Sequence, residues 1–346
     1  IMAKILILGA GSMGTAFSVP CSDNNHQVTI VGTHLEDNFI EKINIDGVHP
    51  ALNCKIPANV KFLKFEKLYD ELNGEIDFIA IAVVSKGIDW AASQLSKIKN
   101  LKIPILILTK GLSINKNKYE ILADKVERIL KKNGIKKPKL IAAGGPCLAI
   151  GLANRIHTSV IYASSNIKNA EKISKLVSTN YYHVFTSNDV IGVEVSAAIK
   201  NIFSMLIGAS KGLCNTDANK ELREKNYLNT AASLLQQSIY EMIIFTQNLK
   251  GKKETVLGLA GIGDLYVSAD GGRNSKMGYF IGEGISYEDA KKLKMPNETI
   301  EGAELIFEIG AKIKNDFSIK KLPLMISMIN TILNKKPLKI EWNSFK

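Results

Sequence analysis

Little in these 346 residues points to covalent or metal bracing. There are four cysteines, Cys21, Cys54, Cys147 and Cys214, widely scattered and without paired spacing. That pattern suits reduced thiols in a cytoplasm and argues against both a disulfide framework and a zinc site. No apolar run approaches the length of a membrane span, and no charged-then-apolar leader ends in a small-residue cleavage site. A soluble, cytoplasmic chain with no membrane span is therefore expected. Acidic residues are the scarcer charge: 33 Asp and Glu against 45 Lys and Arg leave a net charge of +12. The lysines are dispersed and not interleaved with aromatics, so no nucleic-acid partner is expected. The excess reads as compositional bias toward Lys, Asn and Ile, with a positive field that attracts small anions. Internal repeats and long disordered linkers are also lacking.

What is present is enough apolar material, 46%, for a large core and two domains. The clearest local pattern is at the amino terminus. Lys4 to Leu8 is a short apolar strand running into Gly9-Ala10-Gly11-Ser12-Met13-Gly14. A helix begins at Thr15, Ala16 and Phe17, and Gln27 to Val31 reads as the next strand. A strand, glycine turn, helix and strand in that order form the context in which such a motif binds a dinucleotide. Gly9 permits the tight turn, Gly11 leaves room for a pyrophosphate, and Gly14 lets the helix pack close with its amino terminus aimed at the phosphates. At the end of the second strand, an acid would mark an NAD enzyme and an arginine an NADP enzyme. The chain has Gly32, Thr33 and His34 there, with Glu36 and Asp37 beyond, so use of either cofactor stays open.

Further strands are predicted at Asn59 to Phe65, Asp77 to Val84, Pro104 to Thr109, Pro138 to Ala143, Ser159 to Ala163 and His183 to Thr186. Helical stretches such as Asn117 to Lys132 and Lys168 to Ser178 separate them. Apolar strands without alternation indicate a mostly parallel sheet covered on both faces. Ligands bind such sheets beyond the carboxyl ends of the strands. Two of those ends carry suggestive groups: Thr109-Lys110-Gly111, and the turn Gly144-Gly145-Pro146-Cys147-Leu148-Ala149.

The stretch around which the chain is organised is Val190 to Gly212, a helix of apolar and small residues that should be buried on most of its circumference. Lys200 and Asn201 sit in its middle. One helical turn away lie Ser196, Ala197, Phe203 and Ser204, so no intrahelical acid offsets a buried ammonium. Snorkelling of Lys200 to the surface is the plain alternative. A lysine and an amide projecting together from a small-residue helix look instead like a site. Downstream the chain reads as helical, with apolar spacing through Tyr227 to Leu249. Gly258-Leu-Ala-Gly261-Ile-Gly263-Asp264 suggests a tight, buried turn presenting Asp264. Ser268 follows, and then Gly271-Gly272-Arg273-Asn274 offers a guanidinium and an amide that suit a phosphate. Arg273 in a surface salt bridge is the competing reading. Thr299-Ile300-Glu301-Gly302 opens a helix through Lys312, with Glu301 placed as a first-turn acid favoured by the helix dipole. The tail after Lys335 is polar.

Taken together, the Gly9–Gly14 motif, Lys110-Gly111, Gly145-Pro146, the Val193-Glu194 to Lys200-Asn201 helix, the run from Gly258 to Asp264, Arg273-Asn274 and Glu301-Gly302 resemble the NAD(P)-dependent glycerol-3-phosphate dehydrogenases over essentially the whole chain. The resemblance implies an α/β fold: a Rossmann-like, mostly parallel sheet domain (residues 1–188) that binds the dinucleotide, then an all-helical substrate and catalytic domain (189–346). It implies NAD(P)H as cofactor, a small phosphorylated substrate, no metal, a homodimer, and a cytoplasmic role supplying glycerol 3-phosphate for phospholipid synthesis. Lys200, Lys110 and Asp264 would be catalytic. Gly9, Gly11, Ser12, Met13, Gly14, Lys110, Ala149, Arg273 and Glu301 would contact the cofactor. Lys110, Gly145, Cys147, Lys200, Asn201, Asp264, Ser268, Arg273 and Asn274 would contact the substrate. The chain departs from the family in three places. The spacing before Arg273 is more like eukaryotic members, Cys147 stands where bacterial members often have serine, and Thr33-His34 replaces an arginine. A related two-domain hydroxyacid or sugar-acid dehydrogenase, and a non-catalytic nicotinamide sensor, are the alternatives to be tested.

Overall fold

A computed structural model describes residues 2–52, 54–98, 101–214 and 227–346. The chain divides into two compact units, one of residues 1–110 with 121–194, the other of 111–120 with 195–346.

The first unit is built on strands β1 (Lys4–Leu8), β2 (Gln27–Val31), β3 (Val48–His49), β4 (Cys54–Lys55), β5 (Val60–Leu63), β6 (Phe78–Ile81) and β7 (Pro104–Ile107). After a hairpin, β8 (Leu112–Asn115) and β9 (Lys118–Ile121), come β10 (Lys139–Gly144), β11 (Thr158–Ala163) and β12 (Tyr182–Ser187). Eight of these form one sheet in the order β12-β11-β10-β7-β6-β1-β2-β5. All neighbours are parallel except β10 and β11. The expectation of a mostly parallel sheet is met. Its two central strands, β6 and β7, are apolar and buried at every position because helices cover both faces. The chain runs outward from β1 through β2 to β5, then returns to the other side of β1 at β6. The carboxyl ends of β1 and β6 therefore flank the switch point where such sheets bind ligands.

The second unit is helical apart from the hairpin. Its central helix, Val190–Leu213, begins in the first unit and is apolar at most positions. By length and composition this helix could cross a membrane, which corrects the reading that no run approaches that length. Its most apolar stretch is 89% buried inside the fold, as expected of a core helix. Around it stand Leu228–Asn248, Arg273–Gly282, Glu301–Asp316 and Pro323–Asn334. Helix Arg273–Gly282 approaches the central helix at backbone distance: a Cβ on Gly278 would lie 1.8 Å from the carbonyl oxygen of Met205.

By internal contacts the compact units divide after Glu194, within the central helix. One element boundary differs from the sequence reading. The predicted helix from Asn117 begins only at Leu122. Lys116 and Asn117 adopt positive φ, 47° and 60°, and this two-residue turn folds β8 and β9 onto each other.

Candidate active site

The sheet unit carries the glycine turn at its switch point. Gly9 has φ +107°, and a Cβ there would meet the carbonyl oxygen of Ala82 at 2.8 Å, so a side chain is excluded on both counts. A Cβ on Gly14 would lie 2.3 Å from the carbonyl oxygen of Gly9, which is how closely helix Ser12–Asp23 packs on the turn. Above Gly11 the space is open: the nearest atom to an added Cβ is Oε1 of Glu36 at 4.0 Å. Gly11 is the N-cap and contributes no side-chain cap. The leading amides of the helix, beginning at Ser12 and Met13, are thus free of side-chain capping, which fits the pyrophosphate of a dinucleotide.

Sequence spacing passed over one residue here. Glu36 lies beyond β2, yet its carboxylate turns back and accepts from the backbone amides of Thr33 at 2.7 Å and Ala10 at 3.2 Å. It ties the loop after β2 to the glycine turn. An acid beyond the end of β2 was visible in the sequence; the backward turn of its side chain was not.

The other carboxyl ends in this unit gather the remaining sheet-side residues. The hydroxyl of Thr109 donates to the carbonyl of Val83 at 2.6 Å, joining the loops after β6 and β7. Lys110 follows, half-buried, and its Nζ donates to the carbonyl of Gly145 at 3.4 Å. Gly145 itself has φ +111°. Cys147 is half-buried in the same turn, and Ala149 opens helix Ala149–Ala153. Lys110 and Gly145 are therefore brought together, with Cys147 and Ala149 a few residues further along.

The helical unit assembles a second group. Lys200 is 7% exposed on the central helix. Its Nζ donates to Oδ1 of Asp264 at 2.8 Å and to the hydroxyl of Ser268. Asp264 is 1% exposed, so the ammonium does not snorkel; it is held inside by a buried carboxylate. The glycine-rich run makes this possible. Leu259–Gly263 forms one turn of wide π-type helix before Asp264–Ala269, and a Cβ on Gly261 would lie 1.9 Å from the carbonyl oxygen of Val256.

One turn of packing away, Asn274 links three elements. Its Nδ2 donates to Oδ1 of Asn201 at 3.2 Å and to Oε2 of Glu301 at 3.2 Å, while its Oδ1 accepts from the backbone N–H of Gly302 at 2.8 Å. Arg273 is exposed and donates to Oε1 of Glu301. The salt bridge raised as the competing reading of Arg273 is present, and its partner is the helix-opening Glu301. Lys200, Asp264 and Ser268 thus form one hydrogen-bonded group and Asn201, Arg273, Asn274 and Glu301 a second, the two meeting at the adjacent positions 200 and 201 of the central helix. Among the described residues no group of three or more His, Cys, Asp or Glu is arranged to hold a metal ion.

An open parallel sheet with a glycine turn at its switch point, followed by a helical unit that buries a lysine against an aspartate, defines a class: a two-unit nicotinamide-dinucleotide dehydrogenase. Comparison with known proteins narrows it. The model of the NAD-dependent glycerol-3-phosphate dehydrogenase N-terminus matches residues 4–170, and that of the C-terminus of the same family matches residues 189–342. The NADP(+)-dependent glycerol-3-phosphate dehydrogenase of Archaeoglobus fulgidus is 30% identical over 325 residues, covering 90% of this chain and 91% of the relative. The glycerol-3-phosphate dehydrogenase [NAD(P)+] of Clostridium tetani is 30% identical over 315 residues, covering 90% and 84%. The crystal structure of glycerol-3-phosphate dehydrogenase from Coxiella burnetii superposes with a TM-score of 0.81 at 25% identity, covering 97% of this chain and 96% of that one. The chain belongs to the NAD(P)-dependent glycerol-3-phosphate dehydrogenase family, and it is an oxidoreductase of that family.

Proposed function

We propose that this enzyme interconverts dihydroxyacetone phosphate and sn-glycerol 3-phosphate, with Lys200 as its acid–base group. The observation that carries the reading is the buried Lys200–Asp264 pair, 2.8 Å apart, on the helix that also presents Asn201. When bound, the reduced nicotinamide supplies the hydride that reaches the C2 carbonyl of dihydroxyacetone phosphate. Gly9, Gly11, Ser12, Met13 and Gly14 would hold the dinucleotide's phosphates, with Lys110, Ala149, Arg273 and Glu301 as further cofactor contacts.

Lys200 Nζ stabilises the negative charge developing on the carbonyl oxygen and donates the proton that makes the hydroxyl. In the reverse direction its neutral form takes that proton back. Asp264 keeps the ammonium stable inside the fold and aims it, and Ser268 fixes its second donor. Lys110 adds a second positive charge, with the carbonyl of Gly145 beside it and Cys147, two residues further along, as a further substrate contact. Arg273, Asn274 and Asn201 grip the substrate phosphate, which does no chemistry but holds the carbonyl in place for transfer. For Arg273 this requires its guanidinium to exchange Glu301 for the phosphate, both of which it meets with the same fork of donors. The domain division we assign at residues 188 and 189 places the dinucleotide's phosphate turn in the sheet domain and Lys200 in the helical domain. A cytoplasmic homodimer feeding phospholipid synthesis is the cellular setting we assign to it.

The test is oxidation of NADH, and separately of NADPH, with dihydroxyacetone phosphate as sole added substrate. Turnover with both cofactors is expected. Binding of NADH without turnover would overturn the reading in favour of a sensor, and turnover only with hydroxyacids or sugar acids would move the substrate class.

A further inference from the structure

Glu36 is tied to the glycine turn through one carboxylate oxygen only. Oε2 accepts both amides, from Thr33 at 2.7 Å and from Ala10 at 3.2 Å. Oε1 accepts no hydrogen bond among the described residues. It is also the one atom that comes as near as 4.0 Å to the position a Cβ on Gly11 would take. A carboxylate oxygen with two amides behind it therefore borders the open space above Gly11, where such a turn receives a pyrophosphate. The backward turn of the side chain depends on Gly32. A Cβ there would lie 3.3 Å from Cβ of Glu36 and 2.3 Å from Cδ1 of Ile40, so a larger residue would push both away.

Cations are scarce at the same place. Between β2 and Glu36 stand only Gly32, Thr33, His34 and Leu35. Lys64, which follows β5, donates to Glu41. His49 reaches the turn, where its Nε2–H donates to the Ala10 carbonyl at 3.2 Å. Its Nδ1 accepts from the N–H of Leu52 at 3.2 Å, which requires the neutral ring. Burial likewise holds its pKa below the ordinary histidine value. The ring of His34 faces those of Phe65 and Trp90, with centroids 6.3 Å and 6.4 Å away. These three residues follow β2, β5 and β6 and offer flat surface of the kind on which a base stacks.

A dinucleotide with its pyrophosphate on the glycine turn sets its adenosine ribose against an acid about twenty residues further along the chain. A 2′-hydroxyl can donate to that acid. A 2′-phosphate instead brings like charge against it. We propose that Glu36 selects the cofactor, its Oε1 accepting from the adenosine ribose of NAD(H) and repelling the 2′-phosphate of NADP(H). The selection is one of degree, so NADPH is still turned over, at higher concentration. The proposal rests on the reading of the Gly9–Gly14 turn as the dinucleotide site.

The test is binding, which needs no turnover. NADH and NADPH are followed by nucleotide fluorescence, and ADP-ribose and its 2′-phosphorylated form by calorimetry. The wild type is expected to bind NADH at least about tenfold more tightly than NADPH, with the same order for the two redox-inactive probes. Glu36→Gln keeps an oxygen for the amides of Thr33 and Ala10 and loses the charge. It should tighten NADPH by about ten- to a hundredfold and weaken NADH by less than about fivefold. A residue that only braced the turn would change both affinities alike. Equal wild-type affinities, or an unchanged ratio in Glu36→Gln, overturns the proposal and leaves the dinucleotide site standing. Wild-type protein that binds neither nucleotide removes that site, and the proposal with it. If Glu36→Gln does not fold, Glu36→Ser is read by the same criteria beside the wild-type ratio, which needs no variant.

Discussion

At the scale of single residues, Lys200 and Asp264 can stay buried only as a pair. Their side chains are 8% and 2% exposed, and either charge left alone there loses most of its hydration with no compensation. Asp264→Ala is therefore expected to destabilise the protein by about 3–5 kcal/mol, read as a lowered denaturation midpoint. Lys200→Met combined with Asp264→Leu should recover most of that loss while leaving the enzyme inactive, since apolar replacements can substitute for a buried pair's contribution to stability but not for its proton. Lys200→Ala should lower kcat by about 10²–10⁴-fold with NADH binding retained; a variant that turned over normally would remove the acid–base assignment. The Arg273–Glu301 pair is different in kind. With side chains 54% and 38% exposed, it contributes little to stability, so Glu301→Gln should leave the denaturation midpoint nearly unchanged and alter kinetics only.

At the scale of elements, the fold depends on backbone-to-backbone approach between helices. Gly278→Ala would press a Cβ to 1.8 Å from the Met205 carbonyl oxygen. The obstacle is main chain and cannot rotate away, so helix Arg273–Gly282 must move off the central helix and carry Asn274 away from Asn201. A loss of about 1–3 kcal/mol or more is expected, with weakened substrate binding. By contrast, an added Cβ on Gly151 comes no closer than 3.9 Å to its nearest neighbour, and Gly151→Ala should leave stability nearly unchanged. The central helix also carries a titration. Glu194 is buried, and burial pushes its carboxyl up to about 8, only partly offset by the N–H of Ala123 donating to it at 3.0 Å. An unfolded glutamate titrates near 4.3. Between those values the folded state holds the extra proton, so this residue's contribution to stability falls as pH rises through that window and is level above about 8. Glu194→Gln keeps an acceptor for Ala123 and abolishes the titration. The variant should gain on the wild type between about pH 5 and pH 8 in denaturant unfolding; parallel pH profiles would place Glu194 at an ordinary carboxylate pKa.

At the scale of the whole molecule, the net charge of +12 meets a substrate and a cofactor that are both phosphorylated. Steering by that field should make kcat/KM fall as ionic strength rises from about 10 mM to about 150 mM, where the screening length shrinks from roughly 30 Å to roughly 8 Å. kcat, measured on the bound complex, should change little. A flat response would mean that the lysines are too dispersed to focus the field.

Much of this protein was legible in the chain itself because its determinants are local. Apolar runs such as Phe78–Ile81 read as interior strands, a glycine with φ +107° sits in a turn that announces itself, and a 24-residue apolar helix is marked near its middle by Lys200. What only the tertiary structure decided is pairing across distance. Nothing near Lys200 in sequence names Asp264, 64 residues away, as its partner. Nothing in Glu36 shows that its carboxylate turns back to Ala10. Tyr119 read as the start of a helix because the contacts that hold it in a strand, Phe245 and Lys312, lie more than a hundred residues further along. Local propensity sets elements where short-range sterics and burial agree. Where a side chain's environment is supplied by another part of the chain, only the packed structure specifies it.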